Sequence, residues 1–230
     1  MEIEWVEVKP GEVFIGSDNR SILFGSIGPR HENKIEYSFE ISSMPIEKDI
    51  VKKLLSSGEC TLASEAEWEL ARKQEKLFGN DGIEELGDKI RNSYWNKYCD
   101  GRVFIDFSWD IKIGRKWENG VPSTIYLDKC YEENRYFRIV RKIKNYEHGK
   151  NNFRLPKSPN KVKLAIEEFL ISLLFGIIPS FLWAYFNATE GYITEGWLNL
   201  IFGGFFIGFF TVIFWRPRTK TFLIGRDFKK

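Results

Sequence analysis

From Phe169 to Thr189 the chain runs 21 residues without Asp, Glu, Lys, Arg or His, and from Gly196 to Trp215 it runs 20 more. At 1.5 Å per residue, each run makes a helix about 30 Å long, the thickness of a bilayer's hydrocarbon. The pattern predicts two transmembrane helices, a hairpin over residues 164–215. A buried core helix passes the same test, but a soluble domain rarely places two such runs in succession. The intervening NATEGYITEG holds two glutamates and no cation, whereas residues 144–163 hold six basic residues against one acidic, as do residues 216–230. Cations gather on the cytoplasmic side of a membrane, so the N-terminal part and the C-terminal tail are both expected in the cytoplasm. No basic-then-apolar leader opens MEIEWVEVKPG, and three cysteines (Cys60, Cys99, Cys130) suit a reducing compartment. Within the second span, Gly203, Gly204 and Gly208 offer helix packing, since Gly204 to Gly208 has the small-xxx-small spacing that lets helices approach closely. The first span of the same hairpin and another membrane subunit are both candidates for the partner.

Residues 1–143 carry 22 basic and 26 acidic residues, and 43% hydrophobic with 16% aromatic residues over the chain is enough for a real core. EIEWVEVKPGEVFIGS alternates about Pro10-Gly11 and reads as a hairpin. In HENKIEYSFEIS the period of two puts Ile35, Tyr37, Phe39 and Ile41 on one face. A helix is expected over IEKDIVKKLLSS, stopped by Ser-Ser-Gly. The next helix begins in CTLASEAEWELARK: Ser64 and Glu67 have the spacing of a capping box, Trp68 anchors it, and Gly79 is the expected stop. Short strands are expected in the aromatic stretch NSYWNKYCDGRVFIDFSWDIKIGRKWENG, and NRYFRIVRKIK reads as a closing strand. Residues 144–163 read as a basic linker, held to anionic headgroups at about 1 kcal/mol per cation near the surface. That use makes membrane lipid its partner, and no nucleic acid is assigned.

The order of WVEVKPGEVFIGS, GPRHENKIEYSFEISSMPI, CTLASEAEWELARK, LFGND and YFRIVRKI resembles the formylglycine-generating enzyme (sulfatase-modifying factor) family. Its R-L-P-T-E-A-E-W-E helix start is matched by Leu62, Glu65, Ala66, Glu67, Trp68 and Glu69, while Thr61, Ala63 and Ser64 stand where Arg, Pro and Thr are usual. The resemblance covers roughly residues 3–143 and implies an α+β, C-type-lectin-like fold with irregular loops, in a shortened form. In family enzymes that oxidise cysteine, two cysteines a few residues apart bind copper.

This chain has no such close pair. Cys99 and Cys130, 31 positions apart, are the alternative copper site, for a reduced oxidase acting on cysteine or another thiol. His31 and His148 are too few for a three-ligand metal site. Glu65, Glu67 and Glu69 are read as architecture, pointing in different directions from a helix start. The function read from the sequence is therefore that of a membrane-anchored, non-catalytic scaffold or accessory subunit without cofactor or metal, whose soluble domain binds a protein partner. The candidate contact surface is Tyr94, Trp95, Tyr98, Trp109, Arg115 and Trp117, residue types that dominate interface hot spots. An extracellular lectin-like receptor with inverted topology is the third reading.

Overall fold

A computed structural model describes residues 3–19, 25–131, 135–142, 153–214 and 219–227. They fall into two compact units, one of residues 1–15, 30–155 and 221–230, the other of residues 16–29 and 156–220.

The first unit is mixed α/β. A four-stranded sheet has the order β1-β4-β11-β6, a five-stranded sheet β5-β10-β7-β8-β9, and β2 pairs with β3 alone. Strands β1 (Trp5–Val8) and β2 (Gly11–Ile15) flank Pro10-Gly11 as expected, but they do not form a hairpin with each other. β1 pairs with β4 (Phe39–Ser42) and β2 with β3 (His31–Ile35), both antiparallel. The turn therefore passes the chain from one sheet to another. Ile35, Tyr37, Phe39 and Ile41 are all buried on one face, as the alternation requires.

β5 (Ile46–Glu47) leads into α1 (Lys48–Ser57), whose C-cap Gly58 adopts φ 76°, the left-handed conformation that glycine takes without strain. Val51 of α1 joins Ile46, Cys60 and Ile139 in a buried cluster, so Cys60 is a core residue. After β6 (Thr61–Leu62), helix α2 (Glu65–Lys73) starts with the expected capping box: Ser64 Oγ accepts from Glu67 N, and the Glu67 side chain accepts from Ser64 N. The helix ends at Lys73 with Gln74 as its C-cap, six residues short of the break expected near Gly79, and Glu75 turns to φ 56°.

Strand β7 (Gly82–Ile90) was hidden in the sequence, since Glu84, Glu85 and Asp88 are buried and spoil the alternation. β8 (Ile111–Glu118) and β9 (Val121–Asp128) form a hairpin through Asn119-Gly120, both at positive φ. The closing strand is split: β10 (Arg135–Phe137) runs parallel to β7, β11 (Ile139–Lys142) joins β4 and β6, and Arg138 lies at the switch.

Two segments expected outside this domain belong to it. Of the linker, 143–152 and so His148 lie outside the described residues, but Phe153 and Leu155 are buried and bond to Cys99 N and Lys97 O. Of the tail, Phe222 bonds through its backbone to Arg30 and Glu32, and its ring meets Trp95 edge-on.

In the second unit, Asn160 caps α3 (Lys161–Ser172), which continues through a π-helical turn, Leu173–Ile177, into α4 (Ile178–Asn187). Pro179, just after the π turn, has no N–H to give the ladder. Together they form one 27-residue helix long and apolar enough to cross a membrane. The sequence reading expected two. After the short α5 (Tyr192–Glu195), the second run forms α6 (Trp197–Phe214), whose apolar part among the described side chains, Trp197–Thr211, is shorter than a full crossing.

Gly204 and Gly208 pack against the chain's own first helix. A Cβ on Gly204 falls 2.6 Å from Ile177 Cα, and one on Gly208 falls 2.6 Å from Ser172 Cα, so backbone lies against backbone. Gly203, expected to share this role, faces open space. Gly203→Ala should therefore raise stability by up to about 1 kcal/mol through helix propensity, while Gly204→Ala should lower the thermal midpoint of the helical circular-dichroism signal in detergent.

Candidate functional site

The start of α2 lies at the centre of the first unit, and its three glutamates do not diverge as expected. Glu65 and Glu69, four residues apart, share a helix face and meet on one cation. Arg115 Nη2 is 3.0 Å from Glu65 Oε1 and 2.9 Å from Glu69 Oε1. Tyr94 Oη donates to Glu65 Oε2 at 2.7 Å. Burial pushes the Tyr94 hydroxyl far up, with the Glu65 charge adding to it. For Arg115, burial acts to lower the pKa, but Glu65 and Glu69 outweigh it and the guanidinium is held more firmly charged than usual.

Glu67 faces another way. Its carboxylate accepts from Tyr37 Oη at 2.6 Å and from Ser64 N at 2.9 Å, while Ser64 Oγ donates to Gly101 O at 2.7 Å. Burial raises its pKa, opposed by Lys142 and by these hydrogen bonds.

Trp68 packs edge-on to Trp117, with its ring face under the Arg115 guanidinium, and donates from Nε1 to Glu84. Arg138 takes the other Glu84 oxygen from Nε at 3.0 Å and donates to the carbonyls of Ser42, Ser43 and Phe78. Asp88 accepts from the backbone N–H groups of Glu65 and Phe104 and pairs with buried Lys97. Every one of these carboxylates is engaged by donors that fix strands and helix to one another.

The residues proposed from sequence as a contact surface divide in two. Tyr94, Arg115 and Trp117 are buried and belong to this interior, so they cannot present a surface. Glu65 and Glu69 draw in the polar ends of Tyr94 and Arg115, and Trp117 packs against the Trp68 ring. Trp95, Tyr98 and Trp109 are half-buried. Arg102 and Arg154 lie over the Tyr98 ring at 3.9 and 4.6 Å, and Lys89 and Lys129 over the Trp109 ring at 4.7 and 4.6 Å. Beside Trp109, Ile105 and Phe107 are exposed, Phe107 completely. Their turn is held by Asp106, which accepts from the backbone and hydroxyl of Ser108 and from Trp109 N. Sequence reading missed these two. The signal was present in FIDFSW, where apolar residues alternate beside Asp and Ser, but alternation alone does not say which face is wet.

The copper alternative meets an unfavourable donor set. Cys99 is enclosed, its backbone bonded to Phe153 and Lys34, and burial pushes its thiol up to about 12 against the pull of Lys97. Cys130 is exposed at the turn after β9. A Cu(I) site needs thiolates, and Cys99 resists becoming one. His31 is buried with its ring against Tyr94. Among the described residues no group of three or more His, Cys, Asp and Glu side chains is placed to hold a metal ion.

No family model matches this sequence, and no curated protein matches it. Among solved structures, the chain is similar to PvdO from Pseudomonas aeruginosa, with a TM-score of 0.45 and 11% identity over 60% of this chain and 94% of that one. At that distance neither a family nor an activity follows.

Two outcomes test this interior. Arg138→Met leaves the Glu84 carboxylate without its buried cation and three carbonyls without their donor, and should cost about 3–5 kcal/mol in urea unfolding of the detergent-solubilised chain. Glu67 holds its proton more tightly folded than unfolded, so its contribution to stability is greatest at low pH. It is lost as pH rises from the ordinary value of 4.5 through the raised folded value. Carboxyl NMR of labelled Glu67 should show a midpoint above 4.5 that is absent from Glu67→Gln.

Proposed function

We propose that this chain is a membrane-anchored binding protein, in which a shortened, degenerate formylglycine-generating-enzyme-like domain holds a protein partner beside the lipid without catalysing a reaction. The observation that carries the reading is the engagement of Glu65, Glu67, Glu84 and Asp88 by structural donors. A carboxylate that already accepts from Arg115, Tyr37, Arg138 or a backbone N–H inside the core is committed to holding strands and helix together. The resemblance on which the family assignment rests is that of the ASEAEWE stretch and the YFRIVRKI strand, and their residues Ser64, Glu67, Trp68 and Arg138 occupy this centre.

Anchoring is supported by the Lys161–Asn187 helix and by the exposure of Leu182, Trp183, Phe186, Phe202, Phe205 and Phe206, a larger apolar area than a soluble surface tolerates. The C-terminal segment supports a double crossing. Because residues 221–230 belong to the same unit as residues 30–155, a chain that leaves through Lys161–Asn187 must come back, and α6 is the return, short as it is. With the basic flanks inside, both ends of the chain are cytoplasmic. The partner surface of this reading is Ile105, Phe107 and Trp109, with Trp95 and Tyr98 as further half-exposed aromatics.

Two experiments on the full chain in its native membrane test the proposal. A photo-reactive residue at Phe107 should trap a discrete protein, and one at buried Tyr94 should trap none. An impermeant maleimide should leave exposed Cys130 unlabelled in intact cells and label it after permeabilisation. Labelling in intact cells turns the assignment to an extracellular lectin-like receptor. Stoichiometric copper lost in Cys99→Ser, together with thiol oxidation by the native chain, turns it to an oxidase.

A further inference from the structure

Lys97 and Asp88 meet inside the first unit, and both side chains are 0% exposed. Lysine is rarely buried completely, and here the backbone holds it from both sides. Asn96 takes φ 73° just before it, Lys97 N donates to Tyr94 O at 3.0 Å, and Lys97 O accepts from Leu155 N at 2.9 Å. Asp88 is fixed in β7.

Three features set this contact apart from an ordinary ion pair. First, an ammonium has three N–H donors, yet among the described residues Asp88 Oδ1, at 2.5 Å, is the one hydrogen-bond acceptor of Lys97 Nζ. Its other neighbours include the rings of Tyr94 and Phe104, with centroids 5.5 and 5.9 Å from Nζ. Second, water reaches neither group, so a reaction that removes both charges relieves the cost of their lost hydration. Third, backbone N–H groups hold both carboxylate oxygens. Glu65 N, at the start of α2, donates to Oδ2 at 2.6 Å, and Phe104 N donates to Oδ1 at 3.0 Å. Donors fixed at a carboxyl oxygen stabilise the negative charge that develops there during acyl transfer.

We infer that Lys97 and Asp88 condense to an amide, a covalent cross-link between β7 and the loop that follows it. A proton passes from Nζ to Oδ1 along their hydrogen bond, and the neutral amine attacks Asp88 Cγ. Charge moves onto Oδ2, against the Glu65 N–H. The N–C bond forms, the Cγ–Oδ1 bond breaks, and Oδ1 leaves as water with two of the three ammonium hydrogens. One hydrogen stays on the amide nitrogen, and Oδ2 remains as the amide oxygen. Nothing is oxidised or reduced, and no second reactant enters. Well-oriented groups within one molecule react with effective molarities of about 10⁵–10⁸ M, which is how two side chains alone can carry the step. The link closes residues 88–97 into a ring and fixes the loop that bears Trp95. Unlike a disulfide, it persists in a reducing compartment. The inference does not depend on the protein-partner reading, since it is read by mass and not by binding.

Intact-mass spectrometry of the full chain, purified in detergent and then denatured, tests it. The expected result is a chain lighter than its sequence by one water, and a branched peptide in the proteolytic digest that joins residue 88 to residue 97. Lys97→Arg and Asp88→Ala should each show the full mass of their own sequence. The branched peptide from the native chain decides even if neither variant folds. A native chain of full sequence mass overturns the inference, as does a water loss that persists in Lys97→Arg. So does a loss that fragmentation places at Asp81 or Asp100, where the following glycine favours a cyclic imide instead.

Discussion

A guanidinium shut away from water must find an acceptor for each N–H, and Arg138 meets this demand by drawing together three parts of the chain that are far apart in sequence. Nε and Nη2 reach Glu84 on β7, Nη1 reaches the carbonyls of Ser42 and Ser43 after β4, and Nη2 also reaches Phe78 beyond α2. A buried pair of this kind adds less net stability than its distances suggest, because both ions lose their hydration. Its stronger effect is on geometry. Arg138 lies where the closing strand leaves one sheet for the other, so its acceptors fix that crossing in place. Trp68 Nε1 then donates to the other oxygen of Glu84, which ties the helix to the same point.

From that point the other ionic contacts spread outward in order. Asp88 on β7 takes the first N–H of α2 and the Lys97 ammonium, and Glu65 and Glu69 on α2 take Arg115 from β8. Small domains usually place hydrocarbon at such positions. Here two sheets and a helix are joined by buried ion pairs, some of them shared among three groups, and Ile46, Val51, Cys60 and Ile139 form a separate apolar cluster.

What the sequence disclosed follows from this division. Features that depend on neighbours along the chain were legible: the capping box at Ser64 and Glu67, the glycine stop at Gly58, and the buried face of Ile35, Tyr37, Phe39 and Ile41. Features that depend on a distant counter-ion were not. β7 looks like a solvated segment until Arg138, Arg135 and Lys97 are in place, and Arg115 and Tyr94 look like surface residues until Glu65 is opposite them. The Asn119-Gly120 hairpin was a local signal and could have been read.

The return of the chain at Phe222 has a bearing on how such a protein is made. Ile224 N meets Glu32 Oε2 across 192 positions of sequence, with the whole apolar segment between them. As the ribosome delivers the chain from its N-terminus, β3 emerges early and waits with one edge open until the last residues follow. That strip can dock only when synthesis is nearly over. Completion of this edge thus reports that the whole chain has been made, and a chain stalled midway would display it unfinished.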